Sequence, residues 1–395
     1  MSEMKKTGLG NGCPLYKKCG GCQLQNMTYD QQLIFKQNLV ESNVGRFCRV
    51  DRIIGMTDPY HYRNKVQAAF KTLKNGKIIS GVFQSSSHTV VPVDSCMIED
   101  VISDKIIVTV RSMLKSFKLT AYNEDRQIGF LRHVLVRRGF KSGEVMVVLV
   151  TGGPAFPSKN NFIKALLKAH PEITTVVQNI NGGKTSLVLG KTQKVLYGKG
   201  YIEDELCGCK FRISPSSFYQ INPVQTEILY GAAVKLCDIK PGDRVLDAYC
   251  GIGTIGLVAA SKAKGAEVIG VEVNSAAVND AKINAKINGI ENARFYCRDA
   301  TDFMQNAAEE NIKFDAVFMD PPRAGSTPVF LDSLINLSPE RIVYVSCNPE
   351  TLGRDLKYLL GKSNYKVQKI IPVDMFPHTN HVETVVSLYR LDINS

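Results

Sequence analysis

Three groups of residues in this 395-residue chain have types and spacing that could do chemistry. The first is the run Val343-Tyr344-Val345-Ser346-Cys347-Asn348-Pro349, a β-like stretch that ends in a cysteine followed by Asn-Pro. A strand-end cysteine is most often a small buried hydrophobe. Its thiolate is also the strongest nucleophile among ordinary side chains, although a free thiol with a pKa of about 8.5 is only a few per cent ionised at neutral pH. Arg323 is a candidate for lowering that pKa. A thiolate that adds to an electron-poor ring carbon needs a partner to remove a proton before it can leave again. Glu383, at the end of Phe376-Pro377-His378-Thr379-Asn380-His381-Val382-Glu383, is the candidate base.

The second group is Asp247-Ala248-Tyr249-Cys250-Gly251-Ile252-Gly253-Thr254-Ile255-Gly256, at a strand-to-helix turn. Gly251, Gly253 and Gly256 fit G-x-G-x-x-G, which serves a dinucleotide as well as S-adenosylmethionine. Glu272 ends the next β-like run and suits the ribose hydroxyls of either cofactor. Asp299, after the third run, is placed for the adenine. The fourth run ends Asp320-Pro321-Pro322-Arg323, for which a nicotinamide oxidoreductase has no evident use, so the constellation favours S-adenosylmethionine. Enzymes that methylate exocyclic amines commonly follow Asp/Asn-Pro-Pro with an aromatic residue. Arg323 stands there instead, which leaves carbon methylation open.

The third group is Cys13-x5-Cys19-x2-Cys22, with Cys96 far downstream. Three cysteines in a Gly-rich loop can wrap a metal centre that a fourth closes. The spacing leaves tetrahedral zinc and a [4Fe-4S] cluster both open. The other cysteines, Cys48, Cys207, Cys209, Cys237, Cys250 and Cys297, are expected to be structural.

These groups need elements to hold them. Residues 1–213 read as an α+β domain. An amphipathic helix over 29–47 carries apolar positions at Leu33, Phe35, Leu39 and Val44. Short β-like runs follow at KVQAAFKTL, IISGVFQ, HVLVRRG and EVMVVLV, with a helix at 158–170 and further strands to 213. From 214 to 395, strands alternate with helices, which predicts a doubly wound, mostly parallel α/β sheet with an antiparallel hairpin at one end. The glycine loop, Glu272, Asp299, Asp320 and Cys347 then share the C-terminal rim of that sheet. The net charge of +12 divides unevenly, with +15 on residues 1–213 and −3 on residues 214–395. A basic first half suits a polyanion. Arg132, Arg137, Arg138 and Lys141 surround one β-like run and are the expected surface for it, with Phe130 either a stacking residue or core. The chain shows no secretory signal and no apolar run of membrane-spanning length, so a cytoplasmic monomer is expected.

Together the runs FYQIN (Phe218–Asn222), DAYCGIGTIG, GVEVN, DPPRAG, VSCNP and FPHTNHVE resemble the bacterial RNA uracil-5-methyltransferase family, over residues 13 to 391. The resemblance implies a Rossmann-like class I S-adenosylmethionine-dependent methyltransferase domain at 214–395. It implies that Cys347 adds to carbon 6 of uracil and that Glu383 takes the proton from carbon 5. It further implies that Gln220, Tyr249, Glu272 and Asp320 contact the cofactor. The cysteine loop is similar to that of the 23S ribosomal-RNA branch, which carries [4Fe-4S]; Lys17 and Lys18 would then flank the cluster and meet RNA. Many relatives bear a small RNA-binding β-barrel before this loop. Only twelve residues precede Cys13 here, so substrate reach is expected to rest on the cluster-bearing domain. Transfer RNA is the alternative substrate, and a non-catalytic RNA-binding assembly factor is a remote one.

Overall fold

Short apolar runs bounded by Gly, Pro and Asn set most of the strands. The computed structural model describes residues 12–84, 87 and 89–391. After a single helical turn α1 (Tyr16–Cys19) comes helix α2 (Tyr29–Val44). Strands β1 (Lys65–Thr72), β2 (Ile78–Phe83) and β3 (Val90–Pro92) precede helix α3 (Val101–Ser116). Strands β4 (Leu131–Arg138) and β5 (Val145–Thr151), helix α4 (Lys159–Ala169), and strands β6 (Ile173–Ile180) and β7 (Thr192–Tyr197) follow. A hairpin of β8 (Ile202–Leu206) and β9 (Cys209–Ile213) leads to helix α5 (Pro223–Cys237).

Alternation then sets in. Strand β10 (Arg244–Ala248) precedes α6 (Thr254–Lys262), β11 (Glu267–Glu272) precedes α7 (Ser275–Ile287), and β12 (Ala293–Cys297) precedes α8 (Ala300–Glu309). Strand β13 (Ala316–Met319) precedes α9 (Pro328–Leu337), and β14 (Arg341–Ser346) precedes α10 (Pro349–Lys362). Strands β15 (Tyr365–Val373) and β16 (Glu383–Arg390) end the chain's regular structure. Among the described residues no helix is long and apolar enough to cross a membrane.

The chain forms two compact units. The first contains Asp58–Asp204, the described residues up to Thr28, and Ile213–Ser216. Its seven-stranded sheet has the order β3-β2-β1-β4-β5-β6-β7, antiparallel except for β5–β6, whose parallel crossover is made by α4. Helices α3 and α4 bury Ile106, Val110, Leu114, Phe162 and Leu166 in its core. The sequence reading has no helix at 101–116, because its β-branched residues mask a helical stripe. Asp100 starts this helix by accepting the backbone N–H of Ser103 at 2.9 Å.

The second unit contains Tyr29–Thr57, Glu205–Arg212 and Ser217 onward. Its sheet has the order β12-β11-β10-β13-β14-β16-β15. The first five strands are parallel, and β16 runs antiparallel between β14 and β15. This is the doubly wound class I methyltransferase architecture, with its switch point between β10 and β13. The division differs from the expected boundary at 213/214, because residues 29–57 build part of this unit. Val40 and Val44 of α2, with Val50 and Ile53, join its core. Full burial of such side chains contributes about 1.5–3 kcal/mol each. Residues 50 and 54 also bridge to Ile370 and Val373, covering the exposed edge of β15. Of the expected apolar positions Val44 is buried and Leu33 and Leu39 pack against the core, while Phe35 is exposed; Gln32, Lys36 and Val40 are also inside.

Candidate active site

The glycine turn follows β10. Tyr249, Gly251 and Gly253 all take left-handed backbone conformations, with φ of 66°, 56° and 82°. A side chain placed on Gly251 would meet no atom within 4 Å, so the turn presents bare backbone to open space, the approach a cofactor needs. Gly256 serves packing instead. A Cβ there would lie 2.7 Å from an Asp247 carboxylate oxygen, the oxygen that accepts the Gly256 N–H at 2.8 Å. Burial, despite that hydrogen bond, pushes Asp247 up to about 7.

Glu272, at the end of β11, accepts from the Gly251 and Asn274 backbone N–H groups at 3.2 and 2.8 Å. It thus binds the glycine turn to the neighbouring strand. Asp299 is an N-cap: one carboxylate oxygen takes the N–H groups of Thr301 and Asp302, starting α8. Gln220 is buried and interacts with Tyr230. Tyr230 lies wholly inside α5 within the electrostatic reach of Asp320 and Asp247, and burial with those charges raises its phenol far above the ordinary range. No local pattern singles out Tyr230, since a tyrosine in an apolar helix reads as core. Asn222 of the FYQIN run has two tasks: its oxygen caps α5 through the Gln225 N–H, and its amide donates to the Met375 carbonyl at 3.0 Å.

Each neighbour of Cys347 has a structural task. Ser346 Oγ accepts the Asn348 N–H at 3.2 Å, Asn348 caps α10 through the Glu350 N–H, and Pro349 occupies the first turn. Cys347 is left half-buried at the strand end. The β14–β16 ladder ends at the pair Ser346 and Thr384, one residue short of Cys347 and Glu383, and the Glu383 charge acts on the Cys347 thiol. Antiparallel partners of this kind have Cα atoms about 4.5–5.5 Å apart. The insertion of β16 beside β14 therefore brings the two candidates together from positions 36 residues apart. Burial, then the charges of Glu383 and Asp320, push the Cys347 thiol up to about 11, while Arg323 works the other way. Burial, then Asp320, push Glu383 up to about 8. Asp320 keeps partial solvent access but is enclosed by protein on most sides, which raises it to about 7. The Asp320-Pro-Pro-Arg tip is held by Asp355, which accepts the Ser326 N–H and the Tyr344 hydroxyl, both at 2.7 Å.

Of the expected RNA surface, Lys141 is exposed and Arg138 partly so, whereas Arg132 and Arg137 are buried. β4 is a central strand, and Arg132 is 4% exposed. Its guanidinium bonds both Glu124 oxygens at 2.7 Å and the carbonyls of Asn181, Gly183 and Thr185. Arg137 is 2% exposed, and Arg138 pairs with Asp100 at 2.8 Å. Phe130 packs on Phe156 with ring centroids 4.7 Å apart, partly buried against the core. Lys17 and Lys18, on α1, are exposed. Cys13 and Cys19 both act electrostatically on Cys22, whose thiol burial raises. Burial also lifts Cys96, up to about 12, with Glu99 next in effect. Among the described residues, however, no three His, Cys, Asp or Glu side chains are gathered closely enough to hold a metal ion.

The sheet order and the open glycine turn define a class I S-adenosylmethionine-dependent methyltransferase. The family model for tRNA (uracil-5-)-methyltransferase matches residues 28–391, and the chain belongs to that family. It is 42% identical over 381 residues to an uncharacterized RNA methyltransferase of Halalkalibacterium halodurans, covering 95% of this chain and 82% of the relative. An uncharacterized RNA methyltransferase of Clostridium acetobutylicum is 43% identical over 388 residues, with 96% and 83% covered. The crystal structure of the Pyrococcus abyssi tRNA (uracil-54, C5)-methyltransferase with S-adenosyl-L-homocysteine superposes with a TM-score of 0.78 at 31% identity, covering 93% of this chain and 85% of that one. Membership and fold make the chain an S-adenosylmethionine-dependent RNA uracil-5-methyltransferase.

Proposed function

We propose that the chain methylates carbon 5 of uridine in 23S ribosomal RNA, with Cys347 as nucleophile and Glu383 as base. The observation that carries this reading is the meeting of Cys347 and Glu383 at the end of the β14–β16 ladder, where the Glu383 charge acts on the thiol, on the rim that bears the glycine turn. Uracil carbon 5 is a poor nucleophile until a group adds at carbon 6. Cys347 loses its proton to water and its sulfur adds there, which places electron density on carbon 5. S-adenosylmethionine, when bound, would supply the electrophilic methyl group that carbon 5 takes, with S-adenosylhomocysteine as the by-product. Glu383 then takes the carbon-5 proton, the carbon–sulfur bond breaks, and the electron pair returns to Cys347. Its raised pKa suits a base working near neutrality. Gln220, Tyr249, Gly251, Gly253, Glu272, Asp299 and Asp320 would hold the cofactor. Turning the target base out of folded RNA costs a few kcal/mol, which phosphate contacts offset. Lys17 and Lys18 remain candidates for those contacts.

The ribosomal substrate is supported by the cysteine loop and the basic first half of the chain. A [4Fe-4S] cluster on Cys13, Cys19, Cys22 and Cys96 belongs to the same proposal and rests on the resemblance of the cysteine loop to that of the ribosomal-RNA branch. Iron and acid-labile sulfide analysis of anaerobically purified protein tests it, and metal-free protein with full activity would remove it. Transfer RNA is the second reading, favoured by the family's description and by the Pyrococcus neighbour. We place the enzyme in the cytoplasm as a monomer. Labelled methyl transfer to separated, unmethylated 23S and transfer RNAs, followed by nucleoside digestion, decides between the substrates. Label in ribosomal 5-methyluridine is expected; label in transfer RNA alone would replace the ribosomal assignment.

A further inference from the structure

Glu383 stands at the end of a loop, residues 374–382, that has no regular structure of its own. Helix α2 grips this loop along one face. Tyr29, Gln32 and Lys36 are spaced three and four apart, so their side chains form one stripe. Tyr29 donates its hydroxyl to Asp374 at 2.9 Å. The Lys36 ammonium bonds Asp374 at 2.5 Å and the Phe376 carbonyl at 3.0 Å, with both charged side chains fully buried. Gln32, 1% exposed, uses both ends of its amide on one residue: Oε1 accepts the His378 N–H at 2.9 Å, and Nε2 meets His378 Nδ1 at 3.2 Å. His378 is held in the left-handed backbone region, φ 68°, which a side chain other than glycine enters only under constraint. Four residues further along α2 the same stripe turns apolar, and Val40 and Val44 fasten the helix into the core.

We propose that Gln32, with Lys36 and Asp374, is a positioning residue for the catalytic base: α2 sets the backbone turn at His378 that delivers the Glu383 carboxylate to Cys347. This polar half-stripe has no need to be polar for packing. A helix whose only task was to cover the sheet would bury apolar residues at 32 and 36, as it does at 40 and 44. The inference rests on reading Glu383 as the base.

That base acts only in the last step, after sulfur addition and methyl transfer. Loss of positioning therefore has a signature that loss of folding lacks. The full-length protein is given RNA and labelled S-adenosylmethionine in single turnover. Covalent protein–RNA adduct is then followed through denaturing gels, alongside release of methylated RNA. Gln32→Met is expected to form methylated adduct at close to the parent rate and to release it at least about tenfold more slowly, following the behaviour of Glu383→Gln; a tenfold slowing is the scale of one mispositioned general base. Gln32→Asn, a smaller change, is expected to slow release in the same direction and serves where Met does not fold. Release at the parent rate, or equal slowing of formation and release, overturns the positioning role. Failure of Glu383→Gln itself to accumulate adduct overturns the base assignment, and the inference with it.

Discussion

Glu383→Gln should make the protein more stable while stopping product release, and the stabilisation should grow with pH. In the folded chain burial and the Asp320 charge hold Glu383 at about 8, against an ordinary value of 4.5. A carboxyl whose folded pKa is raised costs nothing below its unfolded pKa. Its penalty on the folded state appears as pH climbs from 4.5 and is complete once pH passes 8. At about 1.4 kcal/mol per pKa unit, the penalty is about 1 kcal/mol at pH 5, about 2 at pH 6 and close to 5 at pH 9. Gln has no proton to lose, so the variant escapes the pH-dependent part, about 4 kcal/mol between pH 5 and 9. For a unit of this size that widens the gap in melting temperature by roughly 8–16 °C. Thermal unfolding of parent and variant in matched buffers from pH 5 to 9 checks it. A difference that stays flat with pH, or that favours the parent at pH 9, would refute the claim that its surroundings raise the Glu383 pKa.

Asp320→Asn removes a negative charge that raises both Cys347 and Glu383. The pH dependence of adduct release should move toward lower pH by a unit or so, about the effect of one close charge; a profile that moves upward or stays fixed contradicts the placement of Asp320. Arg132→Met leaves Glu124 and three carbonyls without their partner, and should cost about 3–5 kcal/mol in denaturant unfolding. Lys17→Glu combined with Lys18→Glu should instead weaken RNA binding and flatten its salt dependence with the melting temperature unchanged; the converse pattern would restore Arg132 as an RNA contact.

The catalytic half was largely legible because its motifs are local. A glycine turn, a strand-end carboxylate and Ser-Cys-Asn-Pro each sit within a few residues of the element that positions them, and the strand–helix rhythm orders those elements. Even the meeting of Cys347 and Glu383 follows once the last two strands are known to be antiparallel, though only the structure shows that β16 inserts beside β14. The first half misled for a physical reason. Lys and Arg counts report charge but not burial, and β4 carries Arg132 and Arg137 inside, Arg132 bonded to Glu124. Helix α2 misled similarly: its buried face carries Gln32 and Lys36, which a hydrophobic pattern assigns to solvent. Both errors concern polar groups satisfied by residues far away in sequence, which no local window contains.

The central claim is a covalent bond between Cys347 and carbon 6 of uracil. The most direct measurement uses RNA whose target uridine carries fluorine in place of the carbon-5 hydrogen, so that no proton is available for Glu383 to remove. With S-adenosylmethionine the protein should form a denaturation-resistant adduct, and peptide mass spectrometry should place the methylated nucleotide on the peptide containing Cys347, with Cys347→Ala forming none. An adduct on another residue, or one that persists in Cys347→Ala, would contradict the account.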